Sequence, residues 1–211
     1  MESNERISPD HEKILGRLLS LSDGIFAFAI TLLIMNIVLP YGTSRAEVPQ
    51  ALLELWPKYL AFLISFVVIG LYWIVHVRQF RVIRKYDTGL LWLNLLFLMF
   101  IVLIPFSTSV LSDFEETASV VLYAANMACA GFTATGLWIY ATRRKLIDAK
   151  LGPAWVRRGI ITNLIAPGWF ALSIGLAFIN PNLAVYSWLL IGVAHRVVDW
   201  VLKLPKADED I

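Results

Sequence analysis

Six apolar runs dominate this 211-residue chain: Leu18–Leu39, Tyr59–Val77, Gly89–Leu111, Ala118–Ala141, Gly159–Ile179 and Leu183–Leu202. A membrane-crossing helix needs about 20 mostly apolar residues, and these runs hold 19 to 24 each. Together they take 129 residues and leave 82 for five connections and two tails, too little for a soluble domain. Composition agrees: 58% of residues are hydrophobic and only 16% charged, where a soluble domain carries about 25% charged residues. The expected fold is therefore an all-α integral membrane protein with six transmembrane helices in a single domain, 1–211.

Basic residues set the expected orientation. With the N-terminus in the cytoplasm, segments 1–17, 78–88, 142–158 and 203–211 lie inside and hold 15 Lys and Arg. The outside segments hold two, Arg45 and Lys58. That asymmetry is a strong positive-inside signal, so both tails, 1–17 and 203–211, are expected in the cytoplasm. Thr43 to Glu47 carries helix-start chemistry before run two, and Asn180-Pro181-Asn182 reads as a tight turn before run six.

Several function classes drop out. A net charge of +2 gives no reason to expect nucleic acid as a partner. The one cysteine, Cys129, excludes a disulfide framework and a cysteine-built metal site. No phosphate-binding glycine-rich loop and no His-Glu-x-x-His zinc site occurs, and no catalytic pairing is evident within the spans. Neither enzyme nor cofactor is expected. A Thr-Val-Gly-Tyr-Gly potassium filter is also absent; Val68-Ile69-Gly70-Leu71-Tyr72 is a poor match inside run two.

Polar side chains within spans are costly and therefore informative. Asp23 in run one, His76 in run two, Asn94 in run three, and Arg196 and Asp199 in run six fall at similar depth near the cytoplasmic ends. They are expected to form one inner-leaflet cluster, either as interhelical hydrogen bonding or as a gate or cation vestibule. Arg17 and Asp23 are about 240° apart around a helix and cannot pair well with each other. Further along run one, Phe28, Thr31 and Met35 fall within about 60° of one another, with Gly24 one turn below. That stripe suits either ordinary packing or a pore with apolar constrictions and one hydroxyl layer.

Run one also resembles the signature of the transmembrane protein 175 family. That pattern is Arg-x-x-x-Phe-Ser-Asp at the opening of the first helix, followed by a run such as Gly-Val-Phe-Ala-Ile-Ala-Ile-Thr-Leu-Leu. This chain has Arg17, Leu21, Ser22 and Asp23, then Gly24-Ile25-Phe26-Ala27-Phe28-Ala29-Ile30-Thr31-Leu32-Leu33. The likeness continues at Ser65-Phe66, Ile69, Trp73 and His76 in run two, and at Leu91 to Leu96 and Pro105-Phe106 in run three. It covers the first half in detail and the rest by length and helix count. Leu21 replaces the motif phenylalanine, Val77 stands where many relatives carry a second histidine, and Phe28 is bulkier than the usual first constriction residue.

The resemblance implies a homotetramer in a prokaryotic cell membrane, with helix one of each subunit lining a central pore that passes potassium. It implies constrictions five, eight and twelve residues after the motif aspartate, at Phe28, Thr31 and Met35, the stripe that helical geometry had already selected. It further implies that Arg17, Ser22 and Asp23 hold helix one by hydrogen bonds to neighbours, His76 among them. The expected function is passive potassium-permeable cation conduction, with no bound metal beyond transient potassium. A proton-coupled small transporter using Asp23 and His76, and a non-conducting membrane scaffold, are the alternatives.

Overall fold

The computed structural model describes residues 9–114 and 116–201. Among them five helical segments are long and apolar enough to cross a membrane: Lys13–Asn36, Trp56–Val82, Thr88–Asp113, Thr117–Arg143 and Pro153–Ala177. At about 1.5 Å per residue each exceeds the roughly 30 Å hydrocarbon core. The described residues contain no strand, only an isolated bridge between Ile83 and Ile147.

Helix α1 spans Pro9–Leu32 and continues as a 3₁₀ turn over Leu33–Asn36. It begins well inside the segment read as a tail, because Pro9 can open a helix where no N–H partner is needed. It stops at Ile37, whose φ of −95° and ψ of 87° leave the helical region. Pro40 follows three residues later and cannot resume the helix. The helix-start chemistry before run two forms a separate short helix, α2 (Val48–Glu54). There Glu47 Oε2 accepts from the Ser44 N–H at 3.0 Å. Helix α3 (Trp56–Val82) then starts afresh with Pro57 in its first turn.

Helices α4 (Thr88–Asp113), α5 (Thr117–Arg143) and α6 (Pro153–Ala177) complete the long elements. Asp87 caps α4: its Oδ1 accepts from the Leu90 N–H at 2.9 Å, while its Oδ2 accepts from the Tyr140 hydroxyl at 2.9 Å and from Arg144 Nε at 3.4 Å. Desolvation raises this carboxyl, but the three donors outweigh it and hold Asp87 below the usual carboxylate value. The end of α5 is thereby tied to the start of α4.

Helix α5 is the centre of the bundle. Fully 61% of its most apolar stretch is buried within the protein, against 17–39% for the other long segments. Its small residues Ala124, Ala128, Ala130, Gly131, Ala134 and Ala141 let neighbours approach closely. Helices α4 and α6 pack on it, while α1 and α3 pack on each other and on α4. At the α5–α6 contact Gly131 faces the ring of Pro167. Pro167 has no N–H, so the Asn163 carbonyl four residues earlier lacks its helical donor. The Thr135 hydroxyl reaches it across the interface at 3.2 Å, sharing its one hydrogen with the Gly131 carbonyl of its own helix at 2.8 Å.

The sixth run departs from a single unbroken helix. It forms three consecutive pieces: α7 (Pro181–Ser187), a 3₁₀ turn (Trp188–Leu190) and α8 (Ile191–Val201). Its last residue, Leu202, and the tail 203–211 lie outside the described residues. The expected turn at Asn180-Pro181-Asn182 is the cap of α7, where Asn180 Oδ1 accepts from the N–H groups of Asn182 and Leu183. The interruption falls at Trp188, whose indole stacks on Tyr123 and donates to Ser173 Oγ at 2.9 Å. The backbone stays right-handed at Ser187, Trp188 and Ile191, so the pieces continue one helical path.

A Cβ added at Gly131 would lie 2.7–3.0 Å from three ring carbons of Pro167, which cannot swing aside. Gly131→Ala is therefore expected to destabilise the purified protein by about 1–3 kcal/mol, the usual cost of overpacking. Gly136→Ala, where nothing lies within 4 Å, is the control. Equal melting temperatures for the two variants in detergent would refute the close contact.

Candidate functional site on the first helix

Helix α1 presents two unlike faces. Leu18, Ser22, Phe26, Ala29 and Leu33 are buried; Phe26, Ala29 and Leu33 join a core with Ile69 and Tyr72 of α3 and Phe97 and Ile101 of α4, while Leu18 packs with Phe80 and Leu90 in a second cluster. Leu21, Gly24, Phe28 and Thr31 are exposed and centre about 140° away around the helix. The contrast is sharp within two residues: Phe26 is 2% exposed and Phe28 61%. Met35, 70% exposed, sits in the 3₁₀ turn, which advances about 120° per residue where an α-helix advances about 100°. It therefore stands about 40° to the other side of Phe28 from the position that ideal α-helical geometry gives. It remains on the exposed face. The Thr31 hydroxyl donates to the Phe28 carbonyl at 2.8 Å, so its hydrogen is spent within the helix and only oxygen lone pairs remain to face outward.

Three sets of hydrogen bonds hold α1 in this rotation. The first is buried. Asn94 of α4 lies between His76 and Ser22: its Oδ1 is 2.9 Å from His76 Nε2, and its Nδ2 donates to Ser22 Oγ at 3.1 Å. Ser22 in turn donates to the Leu18 carbonyl at 2.9 Å. With Asn94 Oδ1 as acceptor, His76 must carry its proton on Nε2. The ring is stacked between Phe80 and Phe97, at centroid distances of 4.4 and 5.8 Å. Its Nδ1 is buried without a partner among the described residues. In the second set, Trp73 Nε1 donates to Asp23 Oδ1 at 2.8 Å, on the exposed side. In the third, at the far end, Asn36 Nδ2 donates to the Pro105 carbonyl at 3.1 Å.

The expected anchors are thus partly rearranged. Ser22 reaches His76 through Asn94, and Asp23 takes Trp73 as its partner, one turn before His76 on α3. Arg17 is exposed, with no side-chain partner among the described residues. Asp23, His76 and Asn94 of the inner-leaflet cluster come together, and Arg196 does not join them. Helix α8 packs on α6, whereas α1 packs on α3 and α4. Arg196 is exposed on α8, and the Asp199 side chain lies outside the described residues. A second polar group, unforeseen as a unit, joins α3, α4 and α5. The Thr108 hydroxyl donates to Ser65 Oγ at 2.8 Å, and Ser65 Oγ lies 3.2 Å from the Tyr123 hydroxyl. Among the described residues no three His, Cys, Asp or Glu side chains are grouped to hold a metal ion.

Interhelical hydrogen bonds in membranes average about 0.6 kcal/mol, with a maximum of about 1.7. Asn94→Leu removes two of them and is expected to cost about 1 kcal/mol, read as a lower melting temperature in detergent. An unchanged melting temperature would show that the buried network contributes nothing to holding α1.

The chain is similar to known proteins over most of its length. Residues 17–105, from Arg17 of α1 to Pro105 of α4, match the family model of the endosomal/lysosomal potassium channel TMEM175. A potassium channel of Streptomyces collinus is 34% identical over 186 residues, covering 85% of this chain and 90% of that protein. A potassium channel of Chamaesiphon minutus is 31% identical over 185 residues, covering 84% and 88%. The crystal structure of a lysosomal potassium-selective channel TMEM175 homolog from Chamaesiphon minutus superposes with a TM-score of 0.73 at 27% identity, over 88% of this chain and 97% of that one. With its five long apolar helices, this chain is a multi-pass membrane protein that belongs to the TMEM175 family.

Proposed function

We propose that this protein is a potassium channel of the prokaryotic cell membrane, in which four copies meet around an axis lined by α1. The observation that carries the reading is the uncovered face of α1: Phe28, Thr31 and Met35 stand outward, at the positions that the family resemblance assigns to constrictions. The chain's own α3 and α4 cover only the opposite face. The hydrogen bonds at Ser22, Asp23 and Asn36 support a fixed rotation of that face. The relatives described as potassium channels support the choice of ion.

In this reading Phe28 forms the innermost constriction, Thr31 a ring of hydroxyl oxygens above it, and Met35 the outermost ring. No backbone-carbonyl filter is involved; Val68 to Tyr72 lie within α3. A narrow apolar pore makes an ion shed part of its water, which penalises ions that hold water more tightly than potassium does. Apolar rings also gate by dewetting. Conduction is passive and has no catalytic step. The path of α7, the 3₁₀ turn and α8 completes a sixth crossing, so that both ends of the chain lie in the cytoplasm. The basic connections that carry the Arg84–Asp148 and Arg144–Asp87 pairs then face inward, and the Lys58–Asp113 pair faces outward.

Liposome flux tests the pore. Phe28→Ala is expected to raise potassium flux and weaken discrimination against sodium. Thr31→Val keeps the shape, removes the oxygen and is expected to shift selectivity with little change in protein yield. Phe26→Ala empties a core position and is expected to cost about 3–5 kcal/mol of stability, while the protein that folds keeps its selectivity. The pore assignment is falsified if Phe26→Ala alters selectivity while Phe28→Ala and Thr31→Val do not. Flux coupled to a pH gradient would favour the transporter, and absence of flux the scaffold.

Cysteine labelling tests orientation separately. In a Cys129→Ala background, Ser44→Cys and Glu116→Cys are expected to react with an impermeant reagent on intact cells, and Ala149→Cys only after permeabilisation. The reverse pattern would overturn the topology.

A further inference from the structure

A cleft of about 520 Å³ opens between the end of α3 and the start of α6, lined on one side by Arg81, Val82 and Arg84 and on the other by Asp148, Lys150 and Trp155 among others. It lies far in sequence from the exposed face of α1 and plays no part in the conduction reading. That volume falls within the range of small-molecule sites, roughly 300–1,000 Å³. Its walls are fixed by backbone pairing between two connections. The N–H groups of Arg84 and Lys85 donate to the Leu146 carbonyl, and the N–H of Asp148 donates to the Val82 carbonyl.

The charges in the cleft are unbalanced. Three cations, Arg81, Arg84 and Lys150, face one carboxylate, Asp148. Asp148 is already engaged: it pairs with Arg84 Nε at 3.3 Å and accepts from the Lys150 N–H at 3.0 Å. The Lys150 N–H, against some desolvation and with help from Arg84, holds its carboxyl below the usual value, so it stays ionised. Arg81 and Lys150 are left exposed, with no side-chain hydrogen-bond or ion-pair partner among the described residues. Lys150 also lends its charge to Asp148, so three cations meet one carboxylate on one concave surface. Trp155 closes one wall, its ring held edge-on against Trp138 at 5.4 Å. Indoles of this kind settle at the headgroup level of a bilayer.

We infer that this cleft binds a phosphate-bearing anion between Arg81 and Lys150. A guanidinium offers a planar fork of donors to phosphate oxygens and an ammonium offers a compact charge, so the pair suits a singly or doubly charged phosphate group. Two sources present that chemistry, the headgroup of an anionic phospholipid and free phosphate in solution. The place of the cleft, at the last turn of a membrane-length helix and beside an interfacial tryptophan, favours the headgroup. The site needs neither the pore assignment nor the orientation, and fails or stands independently of them.

Titration calorimetry on the full chain in a neutral detergent tests it, with dioctanoyl phosphatidylglycerol in one arm and inorganic phosphate in the other. Each basic residue near an anionic surface contributes about 1 kcal/mol, so Arg81→Gln with Lys150→Gln is expected to weaken phosphatidylglycerol binding about 30-fold. The swap Arg81→Lys with Lys150→Arg keeps both charges and is expected to retain binding. Arg78→Gln, an exposed arginine outside the cleft, is expected to bind as the parent does. The same pattern with inorganic phosphate alone would support the site and assign its ligand to solution. If the double glutamine variant and Arg78→Gln behave alike in both arms while melting like the parent, the site is overturned.

Discussion

A single asparagine inside the bundle decides which way the first helix faces. Asn94 offers its carbonyl to His76 and its amide to Ser22, and α1 satisfies that amide only with Ser22 turned inward. In hydrocarbon an unsatisfied amide has no water to fall back on. Rotation of α1 about its axis is therefore opposed by more than the loss of packing. Phe26 lies one turn further on the same face, in tilted contact with His76 and Phe97 at 5.7 and 5.9 Å. Polar and apolar contacts agree on one rotation, and the outward stand of Phe28 and Thr31 follows from it.

The same rule governs the rest of the bundle. At several places where the helical ladder is broken or a hydroxyl is buried, a neighbouring helix supplies a partner. Thr135 of α5 shares its hydroxyl hydrogen between the Gly131 carbonyl and the Asn163 carbonyl that Pro167 leaves bare. Ser65, Thr108 and Tyr123 satisfy one another across three helices. The Tyr72 hydroxyl donates to the Met127 carbonyl at 2.7 Å. These bonds are individually modest, yet each is met at only one mutual placement of the helices. They specify the arrangement that non-directional apolar packing leaves loosely determined.

Much of this was legible in one dimension. Five of the six runs are long helices because contiguous apolar length is a property of the chain alone. The stripe of Phe28 and Thr31 was legible because an α-helix turns at a fixed rate. Met35 departs from the ideal wheel because the helix tightens ahead of Ile37, a local event that apolar periodicity does not record. The sixth run is interrupted at Trp188, whose partners Tyr123 and Ser173 belong to other helices and leave no local mark. The polar cluster was assembled from depth, and depth is one coordinate of three. Arg196 matches Asp23 in depth but rides on a helix packed against α6. The centrality of α5 did have a signal, its alanine and glycine content between Ala124 and Ala141, the composition of a helix packed closely on several sides.

The split character of α1 bears on how such a chain changes over generations. Side chains on opposite faces of a helix roughly 10 Å across share few neighbours, and substitutions at sites without shared partners combine almost additively. Ser22 and Phe26 are locked to α3 and α4, so drift there must be matched by compensating changes elsewhere. Gly24, Phe28 and Thr31 are exposed, and the hydrogen bond from Thr31 to the Phe28 carbonyl stays within the helix. Substitution in that row leaves the packing of the subunit untouched, so selection there acts through what the face meets outside the chain.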